Sequence, residues 1–258
     1  MLASKREIAI FGYGSYAKSI ARNVRRTGAK LTLFVMDDAL YSKAQHDGYE
    51  TYKIDMNTEV EKLSNLCDID NLLVFCAMHD DANNIFSTIS LRAVYQELPI
   101  IAIGSTHETA LKLKNAGASK VIEKLQTVAN MITDMIEKPV VTELMHDILY
   151  DDSSLKIAQI YILEESPYLG KFIDEVDIQT KHNIIILGIV DRELSMDLSF
   201  TTRGAHHCIT ESDILVVIGY DDDITAFKEF IGGLRDEEDW DYWSREMGAS
   251  TLFRSETE

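Results

Sequence analysis

Gly12, Gly14 and Ala17 stand in the spacing G-x-G-x-x-A, after a short Ile-rich run (EIAIF, residues 7–11) and before a segment with Ile20, Ala21 and Val24 on one helical face. A strand, a glycine turn and a helix in that order form an anion cradle. The first glycine permits a tight turn, the second lets a pyrophosphate approach the backbone, and a small third residue lets helix and strand pack closely. The segment Gly12, Tyr13, Gly14, Ser15, Tyr16 and Ala17 is therefore the first candidate binding site.

The second set of chemistry-bearing residues is a series of carboxylates, each expected just after a strand. Asp37 lies 20 residues after Ala17, the separation at which an acid normally receives ribose hydroxyls. If the strand ends at Val35, Asp37 and Asp38 instead open the next turn. Asp55 with Met56 follows a third strand, and Met78 and Asp80 follow a fourth that ends at Ala77. These carboxylates would gather at the C-terminal sheet edge, where open α/β sheets bind ligands. Either a nucleotide or a divalent cation (Ca2+ or Mg2+) would suit them, while N-capping is the structural reading for Asp80 or Asp81.

Other chemistry is weakly signalled. His206 and His207 have no further metal ligand at useful sequence spacing, and Cys67, Cys76 and Cys208 lack C-x-x-C spacing and read as reduced packing residues. G-x-S-x-G, H-E-x-x-H and the P-loop are absent, so no catalytic residue is assigned.

Positioning these residues requires alternating elements. Strands are expected at 7–11, 31–35, 49–54, 72–77, 100–103 and 120–122, with helices from 15, at 57–66, 81–97 and 107–116. Such alternation implies parallel pairing through crossovers. The fold class is α/β, a Rossmann-like doubly wound parallel sheet over 1–137, followed by a small α+β C-terminal subdomain. A helical stretch, 125–150, is broken at Pro139, and residues 138–154 form a crossover helix and linker. The second module, 155–232, has strands at 156–164, 184–190 and 213–218 and helices at 172–177 and 224–231. Residues 233–258 form an acidic tail containing Trp240 and Trp243.

Composition narrows the partners. The 258 residues carry 25 basic and 43 acidic side chains, a formal charge of -18, which repels nucleic acid and anionic lipid surfaces. The charge falls mostly on residues 151–258, net -15, against -3 for residues 1–150. No apolar run approaches the ~18 residues of a bilayer span, and Lys5, Arg6 and Glu7 interrupt any signal-like segment, so direct membrane insertion is not expected and a cytoplasmic location is.

The order GYGSYA, Ile54-Asp55, Ala77-Met78-His79-Asp80-Asp81-Ala82-Asn83-Asn84 and Asn115 to Ile122 resembles the regulator-of-potassium-conductance (RCK or KTN) domain, with its D-D-x-x-N and G-A-D-x-V-I elements. Glu165 to Lys171 (ESPYLGK) and Glu211 to Gly219 (ESDILVVIG) are similar to the companion C-terminal subdomain. The resemblance implies a cytosolic ligand-sensing module, a homodimer built into a larger gating ring, that acts on a K+-conducting membrane pore. It also implies an adenine nucleotide or NAD(H) as regulatory ligand. The pattern departs from the family at Ser15, where arginine is common, at Ala17, at Ile54-Asp55-Met56 in place of G-D-A, and at Val35, on which the family's ribose acid falls. These departures predict weakened phosphate and ribose contacts. An NAD(P)-dependent oxidoreductase is the alternative function, and a vestigial scaffold is a third.

Overall fold

The computed structural model describes residues 7–56, 58–150, 154–191, 198–200, 207–211 and 213–232, which divide into two compact units between Thr133 and Asp134. In the first unit, β1 (Glu7–Phe11), α1 (Ser15–Arg26), β2 (Lys30–Val35), α2 (Asp38–His46) and β3 (Glu50–Lys53) build one half of a sheet. The other half opens with a single helical turn, α3 (Leu63–Leu66), and continues through β4 (Leu72–Cys76), α4 (Asp81–Val94), β5 (Ile100–Gly104), α5 (His107–Asn115) and β6 (Lys120–Glu123). All strands are parallel in the order β3-β2-β1-β4-β5-β6, the doubly wound arrangement expected from the alternation.

A sheet covered on both faces needs strands that are apolar throughout, and β5 (IIAIG) is buried at every position. One face packs Phe11, Phe34, Val74, Leu91 and Ile100; the other packs Ile10, Leu33 and Val35 against Ala17 and Ala21 of α1. Alanine at both α1 positions, each fully buried, brings that helix close to the sheet. The four-residue edge strands β3 and β6 begin and end on charged residues, which limits edge pairing.

The sequence reading missed α2, whose short span has weak amphipathic patterning. The helix expected at 57–66 is a 3-10 turn, Val60–Lys62, followed by the one turn of α3. Cys67 and Cys76 are buried free thiols, pushed by that burial up to about 11 and about 12, in keeping with a packing role.

Helix α6 (Lys124–Glu137) carries the chain into the second unit and ends before Pro139, which opens α7 (Pro139–Tyr150), where a missing N–H costs little. There follow β7 (Leu155–Tyr161), α8 (Ile178–His182), β8 (Ile185–Val190), β9 (Leu198–Phe200), β10 (Ile214–Tyr220) and α9 (Asp221–Phe230). The sheet is antiparallel in the order β7-β10-β8-β9, over a core of Ile160, Ile184, Leu215, Val217 and Phe227. The helix expected at 172–177 is absent: Phe172 bridges to Cys208, and the helical turn begins one residue after Asp177, which caps it. The acidic tail from 233 and residues 151–153 of the expected linker lie outside the described residues.

Candidate functional site

The strand order reverses its direction of growth between β1 and β4, so the ligand crevice of such a sheet opens at their C-terminal ends. The glycine turn occupies this point. Gly12 N–H donates to Phe34 O at 2.8 Å, and Ala77 N–H donates to Phe11 O at 3.0 Å, so the turn is held between the ends of β2 and β4. Gly12 has φ +105°, and a Cβ there would lie 2.9 Å from Met78 Cα. The protein itself therefore requires glycine at position 12.

Gly14 differs. It precedes α1 with φ -77° and ψ -170°, and a methyl group there would have only His79 Cβ within reach, at 4.0 Å. Among the described residues nothing crowds this position, which leaves open space in front of the helix. Helices α2, α4 and α5 are capped by the side chains of Asp37, Asp80 and Thr106, whereas α1 has no side-chain cap and no acidic residue in its first turn. The N–H groups opening α1, at Ser15, Tyr16 and Ala17, thus present the positive end of the helix to an incoming anion. Ser15 and Tyr16 are exposed, Ala17 is buried, and Lys124 Nζ lies 5.0 Å from the Tyr16 ring centroid.

The remaining expected residues fall into place unevenly. Tyr13 is buried, and its hydroxyl donates to Asp47 Oδ2 at 2.7 Å, so its side chain serves the packing of α1 and only its backbone borders the turn. Burial, then Asp47, raises the Tyr13 hydroxyl, while hydrogen bonds from Lys18 and Tyr13 hold Asp47 down at about 2. Strand β2 ends at Val35, buried and aliphatic, so the first alternative for Asp37 gives way to the second. Its Oδ1 accepts from Ala39 N at 2.7 Å and Leu40 N at 3.1 Å as the cap of α2. Asp38 pairs with Lys53 at 2.6 Å. Asp55 is exposed and its N–H donates to Glu59 Oε2 at 3.1 Å, while Met56 is buried in the core. Asp80 caps α4 through Ala82 N at 2.9 Å, and Asp81 accepts from Ser105 N and Oγ at 3.1 and 3.0 Å.

The expected gathering of carboxylates does not assemble a cation site. Among the described residues, no three metal-ligating groups converge at this sheet edge. Asp37 and Asp80 serve as helix caps, Asp38 is in an ion pair, and Asp81 is bonded to Ser105.

Two contributors carried no role in the sequence reading. Asn84 is fully buried: its Oδ1 accepts from Met78 N at 2.8 Å, and its Nδ2 donates to Met78 O at 3.1 Å and to Ile103 O at 2.9 Å. It ties the loop beneath Gly12 to the end of β5. His79 is the side chain nearest to Gly14. The D-D-x-x-N pattern was the available signal for the first; the second has none.

A Rossmann-type α/β unit with an uncapped glycine turn, followed by a small antiparallel α+β unit, defines the class. Family models for the TrkA-N domain and the TrkA-C domain match residues 8–124 and 157–232 in that order. The chain belongs to this RCK/KTN family of regulatory domains. It is 20% identical over 226 residues to potassium channel protein 1 of Methanocaldococcus jannaschii, an alignment covering 87% of this chain and 66% of the relative. Among solved structures, the human SLO3 gating ring matches with a TM-score of 0.60 at 10% identity, over 86% of this chain and 46% of that one. A GsuK channel bound to NAD matches at 18% identity with a TM-score of 0.44, over 88% and 38% of the two chains. The chain thus spans less than two thirds of the length of each of these relatives. Nothing in the comparisons favours the oxidoreductase alternative.

Proposed function

We propose that this chain is a cytosolic regulatory module that senses an adenine nucleotide or NAD(H) and controls a K+-conducting membrane pore, whether a separate subunit or part of the same polypeptide. The observation that carries it is the uncapped N-terminus of α1 behind Gly14, set in a chain whose two units match the two family domains in order. The phosphate half of the site fits. The diphosphate would accept from the N–H groups of Ser15 to Ala17, and Lys124 beside Tyr16 brings a positive charge to the helix opening, where Ser15 supplies none. The ribose half fits less well, because Val35 offers no carboxylate. The backbone at Gly12, Tyr13 and Gly14, the loop Ala77 to Asp80, and Asp55 and Met56 after β3 border the space left for the nucleoside. The module binds its ligand without transforming it, and the ligand acts by its unequal affinity for two conformations of the assembly.

The assembly is a homodimer, the building block of a ring. Helix α6 buries none of its residues, and Leu125, Val128, Ile132 and Ile136 form one apolar face of it, with Ile136 and Val140 each 76% exposed. A second copy offers the same face in return. Among the described residues no helix is long and apolar enough to cross a membrane, so contact with the bilayer would run through the pore.

Thermal unfolding with NAD, NADH, ADP and ATP tests the sensor, since a ligand at 100 times its Kd adds about 2.7 kcal/mol of stability. One of these should raise Tm; none doing so overturns the nucleotide reading. Sedimentation at tens of micromolar should show a dimer or larger, and a clean monomer overturns the ring.

A further inference from the structure

The pairing of β10 with β8 places Ile214 opposite Val190, so the next residues outward, Asp213 and Asp191, face one another across the two strands. Like charges directly opposed destabilise a sheet unless a cation lies between them. The group between them is His207. Its backbone is pinned from the other side, where Ile173 N–H donates to His207 O at 3.0 Å and the neighbouring Phe172 and Cys208 form a β-bridge. His207 Nε2 lies 2.7 Å from Asp213 Oδ2, and Nδ1 lies 3.8 Å from Asp191 Oδ2. The sequence reading gave His207 no companion ligand; antiparallel pairing supplies two, Asp191 and Asp213, from either side of it in the chain. His206 lies outside the described residues.

We propose that Asp191, His207 and Asp213 form a binding site for a divalent transition-metal ion of the Zn2+ or Mn2+ class. One ligand atom from each of the three lies within 4.8 Å of the other two. Ligands at ~2.0–2.2 Å from a shared ion stand roughly 3–4 Å apart, so modest side-chain rotation closes the set around it. Asp213, whose side chain is 1% exposed, also accepts from Thr210 N at 2.8 Å through the same Oδ2 that meets the imidazole. Asp191 adds a second carboxylate oxygen beside that ring, so the set offers a cation one nitrogen and two anionic oxygens. One nitrogen and two carboxylate oxygens suit Zn2+ or Mn2+ better than Ca2+ or Mg2+, which prefer an all-oxygen shell, and water completes the coordination. Binding would cross-link the ends of β8 and β10 to the 207–211 segment, giving the second unit an input of its own.

Calorimetry on the chelator-stripped full chain tests this with ZnCl2, MnCl2, CaCl2 and MgCl2, in the absence of nucleotide. The expected result is one saturable Zn2+ or Mn2+ per chain. Asp191→Asn and His207→Gln should each weaken it by more than the roughly 10- to 100-fold that loss of an outer-shell partner costs, and Asp222→Asn, on exposed α9 surface, should leave it unchanged. Should either site variant fail to fold, Co2+ bound to the unaltered chain supplies the readout: a visible spectrum displaced by Zn2+ and free of thiolate charge transfer supports the site. No saturable binding, unchanged affinity in both site variants, equal preference for Ca2+ or Mg2+, or a thiolate band placing the ion on a cysteine would each overturn it.

Discussion

Two glycines two residues apart should answer the same substitution in opposite ways. At Gly12, alanine meets both an unfavourable φ of +105° and a contact of 2.9 Å with Met78 Cα, a backbone atom that cannot swing aside. Strain of about 1–3 kcal/mol and overpacking of about 1–3 kcal/mol sum to roughly 2–6 kcal/mol. At about 2–4 °C per kcal/mol, Tm falls on the order of 10 °C. At Gly14 the backbone is extended and the space is open. A weaker N-cap and a less flexible unfolded chain offset one another, so stability should change by no more than about 1 kcal/mol. The methyl group instead occupies the approach of a phosphate, and loss of one charge-assisted hydrogen bond, about 1.5–3 kcal/mol, weakens nucleotide binding tenfold or more. Thermal unfolding and calorimetry on Gly12→Ala and Gly14→Ala separate the two effects. A Gly12→Ala protein as stable as the parent, or a Gly14→Ala protein that is equally destabilised, would refute this division of labour.

Three further outcomes are expected. Asn84→Ala orphans the N–H and C=O of Met78 and the C=O of Ile103, at about 1–3 kcal/mol for each group left buried and unpaired, and should lower both Tm and nucleotide affinity; unchanged values would show that the loop is held otherwise. Ile136→Glu, on a 76% exposed side chain, should leave Tm of the separated protomer intact while shifting sedimentation toward monomer; an unaltered dimer places the interface elsewhere. Asp47 is depressed from its ordinary 3.8 to about 2, so its contribution is present above its ordinary value and is lost as pH falls through about 2; Asp47→Asn should flatten that limb of the stability profile, and a limb of unchanged slope would exclude the Lys18 and Tyr13 contacts as its source.

What the sequence made legible follows from how local each signal is. The six parallel strands, the glycine turn and the break at Pro139 rest on runs of apolar residues and on Gly and Pro chemistry, which operate over a few neighbours. Helix α2 escaped because its nine residues bury only Ala44. The roles of Asp37 and Asp80 turned on where a strand stops, and one or two residues separate a ribose ligand from a helix cap. Asn84 acts on Ile103, 19 residues on, and the Asp191, His207 and Asp213 group exists only through strand register. Contacts made by strand register leave no spacing in the chain, whereas Asn84 stands in the D-D-x-x-N pattern with only its distant partner hidden.

Calorimetry on the parent and Gly14→Asp proteins reads whether a nucleotide binds at the glycine turn. Aspartate there sets a negative charge and a side chain at the uncapped start of α1, where the fold leaves open space. Saturable binding of NAD(H) or an adenine nucleotide to the parent chain is expected, with none to the variant and both unfolding at nearly the same temperature. Equal affinity in the two proteins would place the nucleotide away from this turn.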